Sequence, residues 1–199
     1  MKLKQPFIYL SIILGCYLFY KYIYDGTEYT KSNLDNNFYR VRSNKDKQKK
    51  ADMLAIINIK LNTIIDNLKN SNYDSPNINY LLSNWKNGVS IKEIGKMETD
   101  AAYVINKKYM SFCLPDNNEG LDQLNLMTYV AIHELAHIMS YETGHGAEFI
   151  KNFEFLLNYA KTLKYIDPVS NQLHPVYIQL DLLNTQNHYC GVKLVNSIK

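Results

Sequence analysis

His133-Glu134-Leu135-Ala136-His137 is the segment whose residue types and spacing can do chemistry. On a helix, a step of four residues puts both imidazoles on one face, a single turn apart, where they can share one metal ion. Glu134 is turned about 100° from His133, so it reaches a water beside the ion without being a ligand. Hydrolysis needs that division of labour: Zn²⁺ brings the pKa of water towards 7, and a carboxylate takes the proton as the oxygen attacks a carbonyl. With 5 His in 199 residues, chance would give the pattern on the order of 0.005 times. The flanking Val130, Ala131, Ile132, Leu135, Ala136, Ile138 and Met139 make the helix apolar nearly all round, hence central and buried. Two imidazoles and a carboxylate in such a helix need partners, and a metal supplies them.

A catalytic zinc takes three protein ligands and keeps one position open. His145 is the expected third. An uninterrupted helix would carry it about 12 Å past His137 along the axis, but Gly144 suits a left-handed C-cap and lets the chain turn back. Glu148, and Glu154 further along, are the rival third ligands. A metzincin is excluded, because its third His follows the second by six residues and a Met-turn comes later; no Met follows Met139 here.

The elements that must position these groups can be read from hydrophobic period and turn chemistry. Leu54, Ile57, Leu61, Ile64, Ile65 and Leu68 recur at steps of three and four, predicting a helix over 46–69. Ser75 and Pro76 are the N-cap and first turn of a second helix that runs to about Trp85. Residues 101–105 and 109–114 form a hairpin across Asn106-Lys107-Lys108, and 115–120 are a loop. The zinc helix covers 121–141, and another helix follows over 147–163 with Phe149, Phe153, Leu156, Leu157 and Ala160 on one face. The last 35 or so residues read as irregular with short strands. Helices, a small sheet, then helices make an α+β domain over 46–199.

Ahead of it, Lys2 and Lys4 precede an apolar run from Pro6 that reaches Tyr24 if Lys21 snorkels, with no small-residue cleavage site. Residues 1–24 are therefore expected to be a single-pass transmembrane anchor, and polar residues 25–45 a linker. No Asn-x-Ser/Thr sequon occurs, which fits a domain on the cytosolic side of that membrane. Of the 22 basic residues, only Arg40 and Arg42 are arginines, so the net charge of +3 does not support nucleic acid as a partner. The cluster Arg40, Arg42, Lys45, Lys47, Lys49 and Lys50 reads as a solvated helix start. Of the 3 Cys, Cys113 and Cys190 are expected as buried thiols, pairing only in an oxidising compartment, and Cys16 lies in the apolar run. His174 is a surface residue on this reading, and His188-Tyr189 is the first place to look for a group that polarises the substrate carbonyl.

His133-Glu134-Leu135-Ala136-His137 followed by Gly144-His145-Gly146-Ala147-Glu148-Phe149 resembles the HELAH…HGxxF signature of WLM/SprT-like zinc metallopeptidases, in particular those encoded by large DNA viruses. Asp46-Lys47-Gln48, Cys113-Leu114, Phe153-Glu154-Phe155-Leu156-Leu157 and Tyr189-Cys190-Gly191 extend the resemblance over about residues 40 to 195. It implies a zincin-like fold, one catalytic Zn²⁺ on His133, His137 and His145, Glu134 as base, and a protein or peptide substrate. The alternative is a membrane-anchored, zinc-stabilised scaffold without turnover. An intact Glu134 argues against it, since a structural site has no use for that carboxylate.

Overall fold

The computed structural model describes residues 4–96, 98–114, 120–180, 188–190 and 192–193. An N-terminal helix, α1 (Lys4–Asp25), leads into a hairpin of β1 (Thr27–Lys31) and β2 (Phe38–Arg42). Two helices follow, α2 (Lys47–Lys69) and α3 (Pro76–Lys86), then β3 (Ser90–Glu93), β4 (Ala102–Ile105) and β5 (Tyr109–Phe112). Next come α4 (Gly120–Met139) and α5 (Ala147–Thr162), and three-residue strands β6 (Lys164–Ile166) and β7 (Leu173–Pro175). Last in order are β8 (His188–Tyr189) and β9 (Val192–Lys193). Five strands form one mixed sheet in the order β1-β2-β3-β5-β4. Its outer pairs are antiparallel, and β3 runs parallel to both β2 and β5. The α+β class expected from the sequence is what the chain adopts.

Local chemistry accounts for the elements that frame the site. Ser75 accepts from the Ile78 N–H at 3.2 Å and Pro76 takes the first turn, so α3 begins where the sequence places it. Asn106 and Lys107 both have positive φ, at 52° and 56°, which turns β4 tightly into β5. Leu54, Leu61, Ile64 and Leu68 of α2 are buried together with Ile132, Leu135 and Ile138 of α4, so the expected helical stripes meet in one core. α2 packs on β1, β2 and β3, while α4 packs on β4, α2, α3 and α5.

Three expectations are corrected. The transmembrane anchor is not supported, and with it falls the single-pass membrane localisation: no helix among the described residues is long and apolar enough to cross a membrane. α1 is a helix, but its uninterrupted apolar run from Pro6 to Tyr20 covers only about 22 Å at 1.5 Å per residue, against roughly 30 Å of hydrocarbon. Lys21 and Asp25 close it. The linker over 25–45 instead holds β1 and β2. Their buried positions are only Thr30, Tyr39 and Val41, too few to stand out from polar surroundings. The basic cluster is not uniformly solvated either. Lys50 is 2% exposed and pairs at 2.7 Å with Glu93, itself fully buried. Arg42 donates to the Ile94 and Gly95 carbonyls, and its backbone N–H donates to Glu93 at 2.6 Å.

Candidate metal centre

The last two turns of α4 carry His133, Glu134 and His137, and α4 stops at Met139. Gly144, at φ 85°, reverses the chain into α5, which begins at Ala147. That reversal brings His145 back over the other two imidazoles, as the spacing predicts. One nitrogen from each of His133, His137 and His145 lies within 4.8 Å of the others. The Nε2 atoms of His133 and His145 are 3.0 Å apart. Two nitrogens on one tetrahedral zinc stand about 3.3 Å apart, close to the His133–His145 separation, and the whole triad lies within 4.8 Å. Phe149 lies beneath the cluster, its ring centroid 4.8 Å from that of His133, 4.3 Å from His137 and 4.7 Å from His145.

Electrostatics suits the same use. Burial, reinforced by the neighbouring imidazoles, pushes the His133 pKa down to about 3. Burial, His145 and the Lys107 ammonium push His137 down to about 4. Both rings are neutral at pH 7, the state that ligates metal. Glu134 is 4% exposed, and burial pushes its carboxyl up to about 8. Its Oε2 has no hydrogen-bond partner among the described residues. A buried carboxylate oxygen without a partner is costly. A nearby dication would favour its charged form, and a positioned water would satisfy its lone pair.

The rival ligands are placed elsewhere. Glu148 turns away to the backbone: it accepts from the Tyr141 N–H at 3.1 Å, the Glu142 N–H at 3.0 Å and Asn77 Nδ2 at 2.5 Å. Glu154 lies a further turn and a half along α5 and does not join the cluster. His174 contacts Ser170 Oγ at 3.2 Å in the β6–β7 hairpin. The His188 side chain lies outside the described residues. Tyr189 is 2% exposed, and its hydroxyl donates to the Cys113 carbonyl at 2.5 Å. Cys113 and Cys190, expected as thiols, form a disulfide with Cα atoms 6.2 Å apart. The β8–β9 hairpin brings Cys190 to the end of β5, within the 4.4–6.8 Å that a bridge spans.

Sequence reasoning missed Lys107. From the β4–β5 turn its ammonium caps the C-terminus of α4, donating to the His137 carbonyl and, at 2.7 Å, to the Ser140 carbonyl. A positive-φ turn residue pointing at a helix end has no sequence signature. Lys107 also lines a cleft of about 620 Å³ with Ala102, Tyr103 and Val104 of β4, His133, Glu134, His137 and His145.

Helix, reversal and cleft together bring three histidines that could hold a metal ion beside a buried carboxyl in an α+β domain. The chain is similar to proteins of large DNA viruses. An uncharacterized protein of Acanthamoeba polyphaga mimivirus is 24% identical over 188 residues, covering 92% of this chain and 90% of that protein. Uncharacterized proteins of Invertebrate iridescent virus 6 and Invertebrate iridescent virus 3 are 32% and 33% identical over 90 and 73 residues. Those two alignments cover 44% and 36% of this chain, and 51% and 46% of the relatives. No protein-family model and no solved structure matches the chain.

Proposed function

We propose that the protein is a zinc-dependent metallopeptidase that hydrolyses peptide bonds in protein substrates. The observation that carries the reading is three imidazole nitrogens within 4.8 Å of one another beside a buried carboxyl with an unpartnered oxygen. An all-imidazole set suits zinc among the common metals, and three protein ligands leave a position for chemistry. Zn²⁺ held by His133, His137 and His145 would supply a Lewis acid that lowers the pKa of water and polarises a carbonyl. Glu134 is the base: it accepts the proton of the attacking water and passes it to the leaving amine. The burial that holds its carboxyl near neutrality suits both transfers.

The wall of the cleft supports a peptide as the substrate class. β4 is the last strand of the sheet, and its residues line the cleft alongside the histidines. An edge strand offers backbone N–H and C=O groups to an extended peptide laid along it. The order HELAH…HGAEF supports the WLM/SprT-like form of this chemistry. The test is casein cleavage by the purified chain before chelation, after chelation and after return of Zn²⁺. The reading expects activity, loss and recovery, with about one zinc per chain. Cleavage that survives complete metal removal would overturn it, and zinc binding without any cleavage would favour the scaffold reading.

A further inference from the structure

We propose that Glu148 is a positioning residue for His145, holding the α4–α5 turn in the conformation that returns the third imidazole to the other two. The proposal rests on the metal-centre reading above and extends it to a residue outside the ligand set. Residues 141–146 are all exposed and have no regular structure. The Tyr141 ring stacks on Tyr80 of α3, centroids 4.2 Å apart, and its hydroxyl donates to the Pro76 carbonyl at 3.2 Å, which pins the start of the turn; Gly144 at its tip adds conformational freedom. The backbone amides that follow are held by polar contacts.

The Glu148 carboxylate uses both oxygens on successive backbone amides of the turn, Oε1 on Tyr141 N–H at 3.1 Å and Oε2 on Glu142 N–H at 3.0 Å. Asn77 of α3 donates to Oε1 at 2.5 Å, fixing the carboxylate from a third helix. At the entry to the turn Lys107 secures the His137 and Ser140 carbonyls. The chain is thus clamped by its carbonyls on one side and by its amides on the other, with His145 three residues past Glu142. The two adjacent N–H donors each use a separate oxygen here, and a carboxamide has only one. Glu148→Gln therefore keeps the shape but sets an NH₂ group against one backbone N–H. The turn loosens, and ordering His145 must then be met from the binding energy of the metal.

The experiment is a double-mutant cycle on Zn²⁺ affinity, measured by competition with a chromophoric chelator on the full chain. Its members are wild type, Glu148→Gln, His145→Ala and the double variant. Glu148→Gln is expected to weaken Zn²⁺ binding roughly 10–100-fold, the usual cost of losing an outer-shell partner. The metal-free melting temperature should hardly move, since the contacts lie in an exposed turn. In the His145→Ala background the same substitution should cost less than about 2-fold, because the ligand it positions is gone. Asn77→Ala, which leaves the carboxylate in place, should give a smaller loss that also vanishes without His145. Equal losses in both backgrounds, or no loss in either, would overturn the proposal while leaving the metal site standing. Wild type that binds no Zn²⁺ would overturn the metal reading and this proposal together.

Discussion

Two imidazoles kept neutral by burial, His133 and His137, can bind a cation without first losing protons at pH 7. His145 completes the set from outside the helix, and its exposure means that little of the core depends on it. Replacing it by Ala should therefore leave the melting temperature of the metal-free protein nearly unchanged. Zn²⁺ affinity should fall by more than the roughly 10–100-fold that an outer-shell partner costs. Metal content by elemental analysis checks this, and unchanged content would assign the third ligand elsewhere. The three histidines that the structure brings together were legible in the sequence because metal chemistry restricts residue type and spacing so tightly. Glu148 was legible only as an acidic residue near the motif. Its commitment to two backbone amides depends on how residues 141–146 fold back before α5, which periodicity does not record.

At the scale of elements, α5 matters as much as the helix that carries the motif. Its first turn holds Glu148, and its next face sets Phe149 under all three imidazoles and Phe153 5.1 Å from His133. Phe149 is 2% exposed, so Phe149→Ala should cost about 3–5 kcal/mol of stability. It should also weaken Zn²⁺ binding, because the rings lose their floor. Urea unfolding of the metal-free protein measures the first effect and chelator competition the second; stability loss with unchanged affinity would make Phe149 a packing residue only. Helices α2 to α5 were legible, since each has an apolar stripe or a cap that its surroundings amplify. Strands β1, β2 and β3 were not. Each contributes two buried side chains at most, and the sheet pairs them across distances that local pattern does not record.

The whole domain carries buried charge that composition alone made look solvated. Lys60 is 4% exposed, donates to Thr128 Oγ1 at 3.0 Å and lies 5.1 Å from the Tyr165 ring centroid; burial pushes its pKa down to about 8. An unfolded lysine titrates near 10.4. Between those values the unfolded chain holds a proton that the folded chain has released, so this group makes stability rise with pH from about 8 towards 10. Above that, buried tyrosines oppose it: burial holds Tyr177 up to about 12, so the unfolded state ionises first. Urea midpoints at pH 7.5 and 9.5 should show the rise in wild type and a flatter response in Lys60→Met. Equal responses would place the titration elsewhere. The Cys113–Cys190 bridge spans 77 residues of sequence, and the chain-entropy model gives it about 4.5 kcal/mol. Reduction should lower the unfolding midpoint accordingly, and an unchanged midpoint would show that the C-terminal hairpin adds nothing to the fold.

The central claim, that this fold presents a carboxylate to water at a three-histidine zinc, is tested most directly by Glu134→Gln. On the proposed reading Glu134 is not a ligand, and the amide nearly keeps its shape, so α4 should pack as before around Leu135 and Ala136. Wild type and variant are compared for bound zinc and for the rate of casein cleavage. The account predicts equal zinc and a rate lower by at least about 10²-fold, the scale of a lost general base. Equal cleavage rates in the two proteins would contradict it.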